Sequence, residues 1–116
     1  MKKTNKSNPE LSKLITDLKI LAIKEKSKFW NRIAKELSRP TRSQRKINLF
    51  RLNKVTKPKE DIIVPGKVLG TGNLNHDLTI TAYNFSESAN EKLKNKLTIR
   101  ELMKKNPKGS RIRIIC

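Results

Sequence analysis

Residues 61–69 read DIIVPGKVL, and this stretch decides the fold. Its two β-branched runs flank Pro65-Gly66, a strong turn signal, so we predict two short strands followed by a loop at 70–73. Residues 78–83 alternate apolar and hydroxyl side chains, which predicts a half-buried strand. Residues 111–115 predict a terminal strand with its arginines on the open face. The C-terminal half is therefore expected to be a compact, irregular arrangement of short strands and helices.

Helical periodicity precedes this stretch. Asn8-Pro9 reads as an N-cap followed by proline at the first helical position. Apolar residues then recur at helical spacing; they are Leu11, Leu14, Ile15, Leu18, Leu21 and Ala22. Ser27 is a suitable N-cap for a second helix whose apolar face includes Phe29 and Trp30, and Ser38-Arg39-Pro40 ends it. The sequence therefore predicts an N-terminal helical hairpin.

Two further helices are predicted near the C-terminus. Ser86 is suited to cap a helix over residues 87–96, and Thr98 with Glu101 matches a capping box. The last helix should end at Asn106-Pro107. Residues 47–52 fit either a short strand or a helical turn, because a short apolar run does not define its period.

The charge is large and unevenly distributed. The 116 residues carry 28 Lys and Arg against 10 acids, a net charge of +18, which favours a polyanionic partner. Residues 1–59 hold 18 of the basic residues against 4 acids, a net +14, and residues 60–116 hold 10 against 6, a net +4. We therefore expect the anion-binding surface to be mainly N-terminal.

A basic connector follows the helical hairpin. Arg39, Arg42, Arg45 and Lys46 lie within eight residues, interleaved with hydroxyl side chains, and residues 37–59 contain no acid. A solvated protein face usually mixes the two signs of charge. Guanidinium groups on such a segment gain binding free energy from bidentate contacts to phosphates. The connector is therefore predicted to be extended and to bind phosphate.

The sequence offers little for catalysis. Its single histidine, His76, lies in a polar turn, where a solvated role is expected, and its single cysteine is Cys116. With one cysteine no internal disulfide forms, which fits a reducing compartment. Glu60-Asp61 is interpreted as a loop exit rather than part of a metal site. We expect no enzyme activity, no cofactor, no metal site and no small-molecule substrate.

Two other motifs have alternative interpretations. The glycines at 66, 70 and 72 do not have the spacing of a phosphate-binding loop. They are interpreted as turn residues rather than as sites where the backbone approaches RNA closely. Lys67 is the better candidate for a contact with RNA. Phe29 and Trp30 are expected to pack in the core rather than stack on bases.

No apolar run is long enough to span a membrane and the first residues are polar. We expect a cytoplasmic protein that is neither secreted nor membrane-spanning.

Several motifs together resemble one family. They are Asn8-Pro9, Leu14-Ile15-x-Asp17-Leu18-Lys19, Trp30, Arg39-Pro40-x-Arg42, Asn48-Leu49-x-Arg51, Val64-Pro65-Gly66-Lys67-Val68-Leu69-Gly70-x-Gly72, Leu78-Thr79-Ile80-Thr81-Ala82, Phe85-Ser86-x-x-Ala89 and Asn106-Pro107-x-Gly109-Ser110-x-Ile112-Arg113-Ile114-Ile115. They resemble the archaeal and eukaryotic large-subunit ribosomal protein number eighteen, a relative of bacterial large-subunit protein number fifteen. The resemblance spans nearly the whole chain, and its compact length is of the archaeal type. Cys116 departs from the short polar or basic end expected of the family.

The resemblance implies an α/β fold and a structural role in the large subunit, bound to ribosomal RNA beside other ribosomal proteins, with no catalytic activity. We expect a basic tail at 1–7, a helical and basic RNA-binding region at 8–59 and a compact α/β part at 60–116, within a single domain. The predicted rRNA-binding residues are Lys2, Lys3, Arg39, Arg42, Arg45, Lys46, Arg51, Lys54, Lys67, Lys108, Arg111 and Arg113. A chromatin or regulatory DNA-binding protein is the alternative, because it would share the charge.

Overall fold

A parallel β-sheet organises the chain. The structure is a computed structural model that describes residues 9–40 and 45–116. Its elements are α1 (Pro9–Lys24), α2 (Lys28–Leu37), β1 (Arg45–Asn48), α3 (Leu49–Val55), β2 (Asp61–Leu69), β3 (Thr79–Phe85), α4 (Glu87–Lys92), β4 (Lys96–Thr98), α5 (Ile99–Lys105) and β5 (Arg113–Ile114). The predicted α/β class is confirmed.

The sheet is centred on β2. Its strand order is β1-β2-β3-β4, with β5 also paired to β2, and each of these pairs is parallel. One edge of β2 pairs with β3, whereas the other is shared: Ile62 and Ile63 pair with β5, and residues 66–69 pair with β1. The central strand is therefore covered on both edges.

The side chains of β2 alternate between two cores. Ile62 and Val64 pack with β1, α3, β3 and α4, whereas Ile63 packs with α1, α2 and α5. Parallel sheets are usually buried on both faces, and their strands then read as continuous apolar runs. This burial explains why residues 61–64 are apolar after the first position rather than alternating.

Pro65-Gly66 does not divide β2, so the prediction of two strands was wrong. The register with β3 shifts by one residue between Val64 and Lys67, and this bulge accommodates a proline that has no N–H to donate. Gly66 lies opposite Arg45 of β1, and a Cβ there would overlap the Arg45 carbonyl oxygen. The glycine at 66 therefore permits close packing of two strands.

The segment left ambiguous at 47–52 contains both alternatives. Residues 45–48 form β1, and Leu49 begins α3, capped by the Asn48 side chain, which accepts a hydrogen bond from the Arg51 N–H at 2.9 Å. In the connector at 39–46, which was predicted to be extended, Arg45 and Lys46 begin β1, and α3 lies after the connector. The division of the chain into a helical and basic region at 8–59 and an α/β part at 60–116 stays a prediction.

Two other boundaries differ from the prediction. The helix predicted over 87–96 ends at Lys92, because Leu93 has an extended backbone and is buried in a core before β4 begins. The strand predicted over 111–115 is limited to Arg113–Ile114, because Arg111 has a left-handed φ of 61°. Within this strand Arg113 is exposed, as predicted.

The predicted helix signals are confirmed where the structure describes them. Pro9 begins α1, and the Ser27 side chain accepts a hydrogen bond from the Trp30 N–H. Thr98 and Glu101 form the capping box, with hydrogen bonds of 3.1 and 2.8 Å. Asn8, the predicted cap of α1, lies outside the described residues.

Trp30 belongs to the core, as predicted. It is fully buried, its Nε1–H donates a hydrogen bond to the Pro107 carbonyl oxygen at 2.8 Å, and its ring meets Phe29 edge-on at 4.8 Å between centroids. This contact ties the helical hairpin to the loop after α5. Phe29 is half-buried against the same core.

Candidate nucleic-acid interface

Three arginines converge on Glu36 near the end of α2. Arg32 Nε lies 3.3 Å from Glu36 Oε2, Arg45 Nε lies 3.0 Å from Oε1, and Arg39 Nη1 lies 3.9 Å from Oε1. Arg32 lies on α2 one helical turn before Glu36, and Arg39 lies just after the helix ends, three residues beyond Glu36. Arg45 comes from β1, whose position is fixed by its pairing with β2. We name these four residues the arginine cluster.

Glu36 is held ionised within this cluster. Its residue exposure is only 8%. Burial alone would raise the pKa of the Glu36 carboxyl, but the hydrogen bonds and charges of Arg45 and Arg32 outweigh burial and lower that pKa below its usual value. Glu36 in turn raises the pKa of Arg45. The carboxylate therefore remains charged at neutral pH.

The cluster retains a net charge of +2 and faces solvent. The Arg32, Arg39 and Arg45 side chains are 51%, 39% and 35% exposed. Arg32 and Arg45 use Nε toward Glu36, and one terminal nitrogen of Arg32 also contacts Cys116 Sγ at 3.7 Å. The planar fork of a guanidinium matches phosphate geometry. The cluster can therefore present several positioned N–H donors to one backbone phosphate or to two neighbouring ones.

Two lysines lie side by side on the sheet. Lys46 of β1 is in register with Lys67 of β2, and neighbouring strands lie about 4.8 Å apart. Lys46 is exposed and Lys67 half-buried, and within residues 9–40 and 45–116 neither ammonium has an ion-pair partner. Lys46 directly follows Arg45 on β1, and successive side chains of a strand point to opposite faces, so these lysines form a second positively charged site separate from the arginine cluster.

The short helix α3 carries two more predicted residues. Arg51 and Lys54 are both exposed, and Lys54 Nζ lies 4.4 Å from the centroid of the Phe50 ring. Phe50 itself is exposed. This helix follows β1 directly, so its charges lie on the same segment as Arg45 and Lys46.

The three C-terminal candidates, Lys108, Arg111 and Arg113, differ in whether a carboxylate compensates their charge. Arg113 Nη1 lies 3.2 and 3.3 Å from the two carboxylate oxygens of Glu60, so its charge is compensated within the protein. A hydrogen bond from the Lys57 backbone N–H and the contact with Arg113 lower the pKa of Glu60. Lys108 and Arg111 are exposed, and among the described side chains neither forms an ion pair. Arg113 is therefore the weakest phosphate contact of the three.

The structure brings only part of the predicted set together. Arg39 and Arg45 join one cluster, whereas Lys2, Lys3 and Arg42 lie outside the described residues. The sequence-based selection missed Arg32 and Glu36. The four-residue spacing of Arg32 and Glu36 on a helix was a usable signal, but it did not reveal the approach of Arg45.

The residues considered for catalysis have structural roles. His76 was expected to be a solvated turn residue, but it is half-buried, with Nε2 2.9 Å from Thr56 Oγ1. Glu60 pairs with Arg113, and Asp61 begins β2. Over the ranges that the structure describes, no three His, Cys, Asp or Glu side chains are grouped to hold a metal ion. In the same ranges no helix has the length and apolar character needed to cross a membrane.

The glycines are also explained within the protein. Gly72 has a φ of +92°, and a Cβ there would lie 2.6 Å from the Phe50 nitrogen. Lys92 Nζ donates hydrogen bonds to the carbonyl oxygens of Gly70 and Gly72 at 2.7 and 2.9 Å. The predicted loop at 70–73 is thus packed between α3 and α4, and the turn interpretation holds for Gly72.

Fold and surface together define a small basic α/β protein with clustered cationic side chains. Residues 10–96 match the family described as ribosomal proteins 50S-L15 and 50S-L18e together with their 60S counterpart. The "Large ribosomal subunit protein eL18" of Methanoregula boonei is 44% identical over 114 residues, covering 95% of this chain and 94% of the relative. The proteins of the same name from Methanothermobacter thermautotrophicus and Haloarcula marismortui are 36% and 37% identical, covering 99% and 96% of this chain and 98% of each relative.

The chain therefore belongs to this ribosomal protein family, and the resemblance found in the sequence is confirmed. The match covers three quarters of the residues, including the helical hairpin, the arginine cluster and most of the sheet. The relatives named above are archaeal, in agreement with the expected archaeal type.

Proposed function

We propose that this chain is a structural constituent of the large ribosomal subunit that binds and stabilises its ribosomal RNA. It works without catalysis, metal or cofactor, next to other large-subunit proteins in the cytoplasm. Membership of the ribosomal family and the names of the relatives support this role. The charge of +18 supports a polyanionic partner.

The arginine cluster is the observation that carries RNA binding. A surface charge that is only solubilising needs no fixed geometry, yet here one buried carboxylate orders three guanidinium groups. Fixed donors lose less conformational entropy when they bind a phosphate. Contacts of this kind position a protein on RNA, and base edges or shape add selectivity.

The remaining predicted contacts lie on neighbouring elements. Lys46, Lys67, Arg51 and Lys54 add further cationic side chains on β1, β2 and α3. We propose that the tail with Lys2 and Lys3, together with Arg42, reaches further RNA, and that Lys108, Arg111 and Arg113 make fewer contacts. In this proposal residues 1–59 provide most anchoring and residues 60–116 form most of the folded body.

Salt dependence tests the electrostatic part of the proposal. If about eight phosphates are neutralised, the log–log plot of affinity for a large-subunit rRNA transcript against salt should have a slope near −7. A flat response would overturn the mechanism. Duplex DNA serves as competitor, because an RNA-specific protein recognises shape and 2′-hydroxyl groups. Equal affinity for DNA would favour a DNA-binding role instead.

A charge-matched pair of variants tests the site. R32A/E36Q/R39A/R45A removes the arginine cluster without leaving its carboxylate unpaired, and it lowers the net charge by 2. K104A/K105A lowers the net charge by the same amount at exposed positions near the end of α5. We expect the first variant to lose at least about tenfold more rRNA affinity than the second. Equal losses would show that total charge, rather than the cluster, determines binding.

Association with the ribosome tests the assembly role. Wild-type protein should sediment with large subunits through a high-salt gradient, because a structural constituent makes many contacts at once. The cluster variant should be released at lower salt than K104A/K105A. Wild-type protein that stays at the top of the gradient would contradict the structural role.

A further inference from the structure

Phe50 is an aromatic side chain displayed to solvent. It is 55% exposed, whereas its neighbours Leu49 and Leu52 are buried at 1% and 0%. Of the three large apolar side chains exposed in the described ranges, it is the aromatic one; the others are Ile20 and Ile23 on α1. More than half of Phe50 is exposed even though Lys54 Nζ lies over its ring. Part of the ring is therefore open to a ligand.

The backbone that carries this ring is firmly held. The Phe50 N–H donates a hydrogen bond to the Thr71 carbonyl oxygen at 3.0 Å. Gly72 packs against the Phe50 backbone so closely that a Cβ there would lie 2.7 Å from the Phe50 Cα. Lys92 fixes the carbonyl groups on both sides of Thr71. Phe50 is thus presented from a fixed position between a capped helix and a packed loop.

The charged side chains on the segment that carries Phe50 indicate its occupant. Arg51 and Lys54 are exposed on the same helix, and residues 37–59 contain no acid. An apolar protein partner covering this ring would have to desolvate both cations, which is costly without acidic partners. An unpaired nucleotide instead offers a π-face for the ring and a phosphate for the cations. Charge complementarity therefore favours single-stranded RNA.

We propose that Phe50 is a stacking platform for an unpaired nucleobase, with Lys54 and Arg51 binding the adjoining phosphates. The inference rests on the proposed RNA-binding function and adds a ligand class, since the arginine cluster needs only phosphates. Stacking on an aromatic side chain tolerates any base, so the platform recognises the unpaired state of RNA rather than its sequence.

The test compares F50A, F50L and F50W in the full chain, with a short oligouridylate and a fully paired RNA duplex of equal length as probes. F50A and F50L should weaken oligouridylate binding by about 5–150-fold, the effect of losing one stacked base. F50W should bind at least as well as wild type. Binding to the duplex should change less than twofold in each variant, because its bases are already stacked.

Two further measurements separate stacking from charge and from folding. The salt slope of F50A should equal that of wild type, whereas K54A should reduce the slope by about 0.7. The tryptophan emission of F50W should be quenched by oligouridylate relative to wild type, in which Trp30 is buried. Thermal unfolding should show F50A within a few degrees of wild type, because the ring is largely exposed.

Several results would overturn the stacking site. Unchanged oligouridylate binding by F50A would do so, and so would wild-type affinity in F50L, which would show that any apolar side chain suffices. Release of F50A from large subunits without any loss of RNA binding would instead assign Phe50 to a protein neighbour. If wild type binds rRNA with a steep salt slope while F50A is unaffected, only the stacking inference fails. If wild type shows no salt-dependent RNA binding, the proposed function itself fails.

Discussion

Replacing Glu36 with glutamine isolates the contribution of one buried carboxylate. Glutamine has nearly the same shape, so its Oε1 can still accept the hydrogen bond from Arg45 that Glu36 accepts at 3.0 Å. Its amide nitrogen replaces the oxygen that meets Arg32 at 3.3 Å and repels that guanidinium. E36Q therefore removes one charge, one hydrogen bond and the compensation of three neighbouring cations.

The size of the stability loss expected for E36Q follows from these contacts. A hydrogen bond to a charged group contributes about 1.5–3 kcal/mol when buried. Here the acceptor is buried but the arginines are 35–51% exposed, so solvent screening reduces their contribution toward the value of surface pairs, about 0.2–1 kcal/mol each. We expect E36Q to lower the free energy of unfolding by about 1–2 kcal/mol at pH 7. For a chain of this size the melting temperature should fall by about 3–8 °C.

The pH dependence gives a stricter test. The folded-state pKa of Glu36 is lowered, so its stabilisation is fully present above the unfolded-state pKa of about 4.3 and is lost as pH falls through the folded-state pKa. Below that pKa wild-type Glu36 is neutral, like glutamine. The difference in urea midpoint between wild type and E36Q should therefore shrink from pH 7 toward about pH 3.

The control for this measurement is E91Q. Glu91 is exposed on α4 and forms no ion pair with the described side chains, so its replacement should change stability by less than about 0.5 kcal/mol. A stability loss in E36Q that persists unchanged at pH 3 would show that shape rather than charge is responsible. No loss at pH 7 would refute the ordering role of Glu36.

Three further substitutions test how the interface is supported, each by urea unfolding followed by circular dichroism. W30F removes the donor to the Pro107 carbonyl oxygen and leaves a small cavity, so a loss of about 1–3 kcal/mol is expected, and a loss below about 0.5 kcal/mol would contradict this role. G66A places a Cβ against the Arg45 carbonyl oxygen and should cost about 1–3 kcal/mol by displacing β1; wild-type stability would disprove the close strand contact. T98A removes the capping-box acceptor of α5 and should cost about 1 kcal/mol, whereas T98S should restore most of it.

Local signals in the sequence were reliable. Ser27 and Thr98 cap helices as predicted, because the side chain and the backbone group that it satisfies lie three residues apart. The apolar stripe of α1 is buried at Leu11, Leu14, Leu18 and Ala22. Such features are decided within one helical turn, so no knowledge of distant residues is needed.

Errors arose where distant pairing overrides a local preference. Pro65-Gly66 is a strong turn signal, but pairing of β2 with three other strands holds the chain extended and absorbs the proline as a bulge. Leu69 ends the same apolar run, yet it is half-buried next to the fully buried Val68. Burial at this strand end depends on which face α3 and α4 cover.

At the interface too, local features of the sequence could be predicted whereas contacts between distant residues could not. Charge counting selected Arg39 and Arg45 because they lie in one basic segment, but their shared partner Glu36 depends on how α2 meets β1. It also selected Arg113, whose compensating Glu60 lies 53 residues earlier. A count of positive charges identifies a basic segment, whereas the partners of each charge depend on strand register that the sequence does not display.

Glu36 is the only acid between residues 26 and 59, and it lies where three cations meet. If phosphate affinity depended on total charge alone, removing this acid would strengthen RNA binding. If it depends on the placement of guanidinium groups, E36Q should weaken binding although the net charge rises, because three arginines without a carboxylate repel one another and lose their common orientation. The two explanations predict opposite signs for one substitution, so the rRNA affinity of E36Q, measured beside its stability, separates placement from charge.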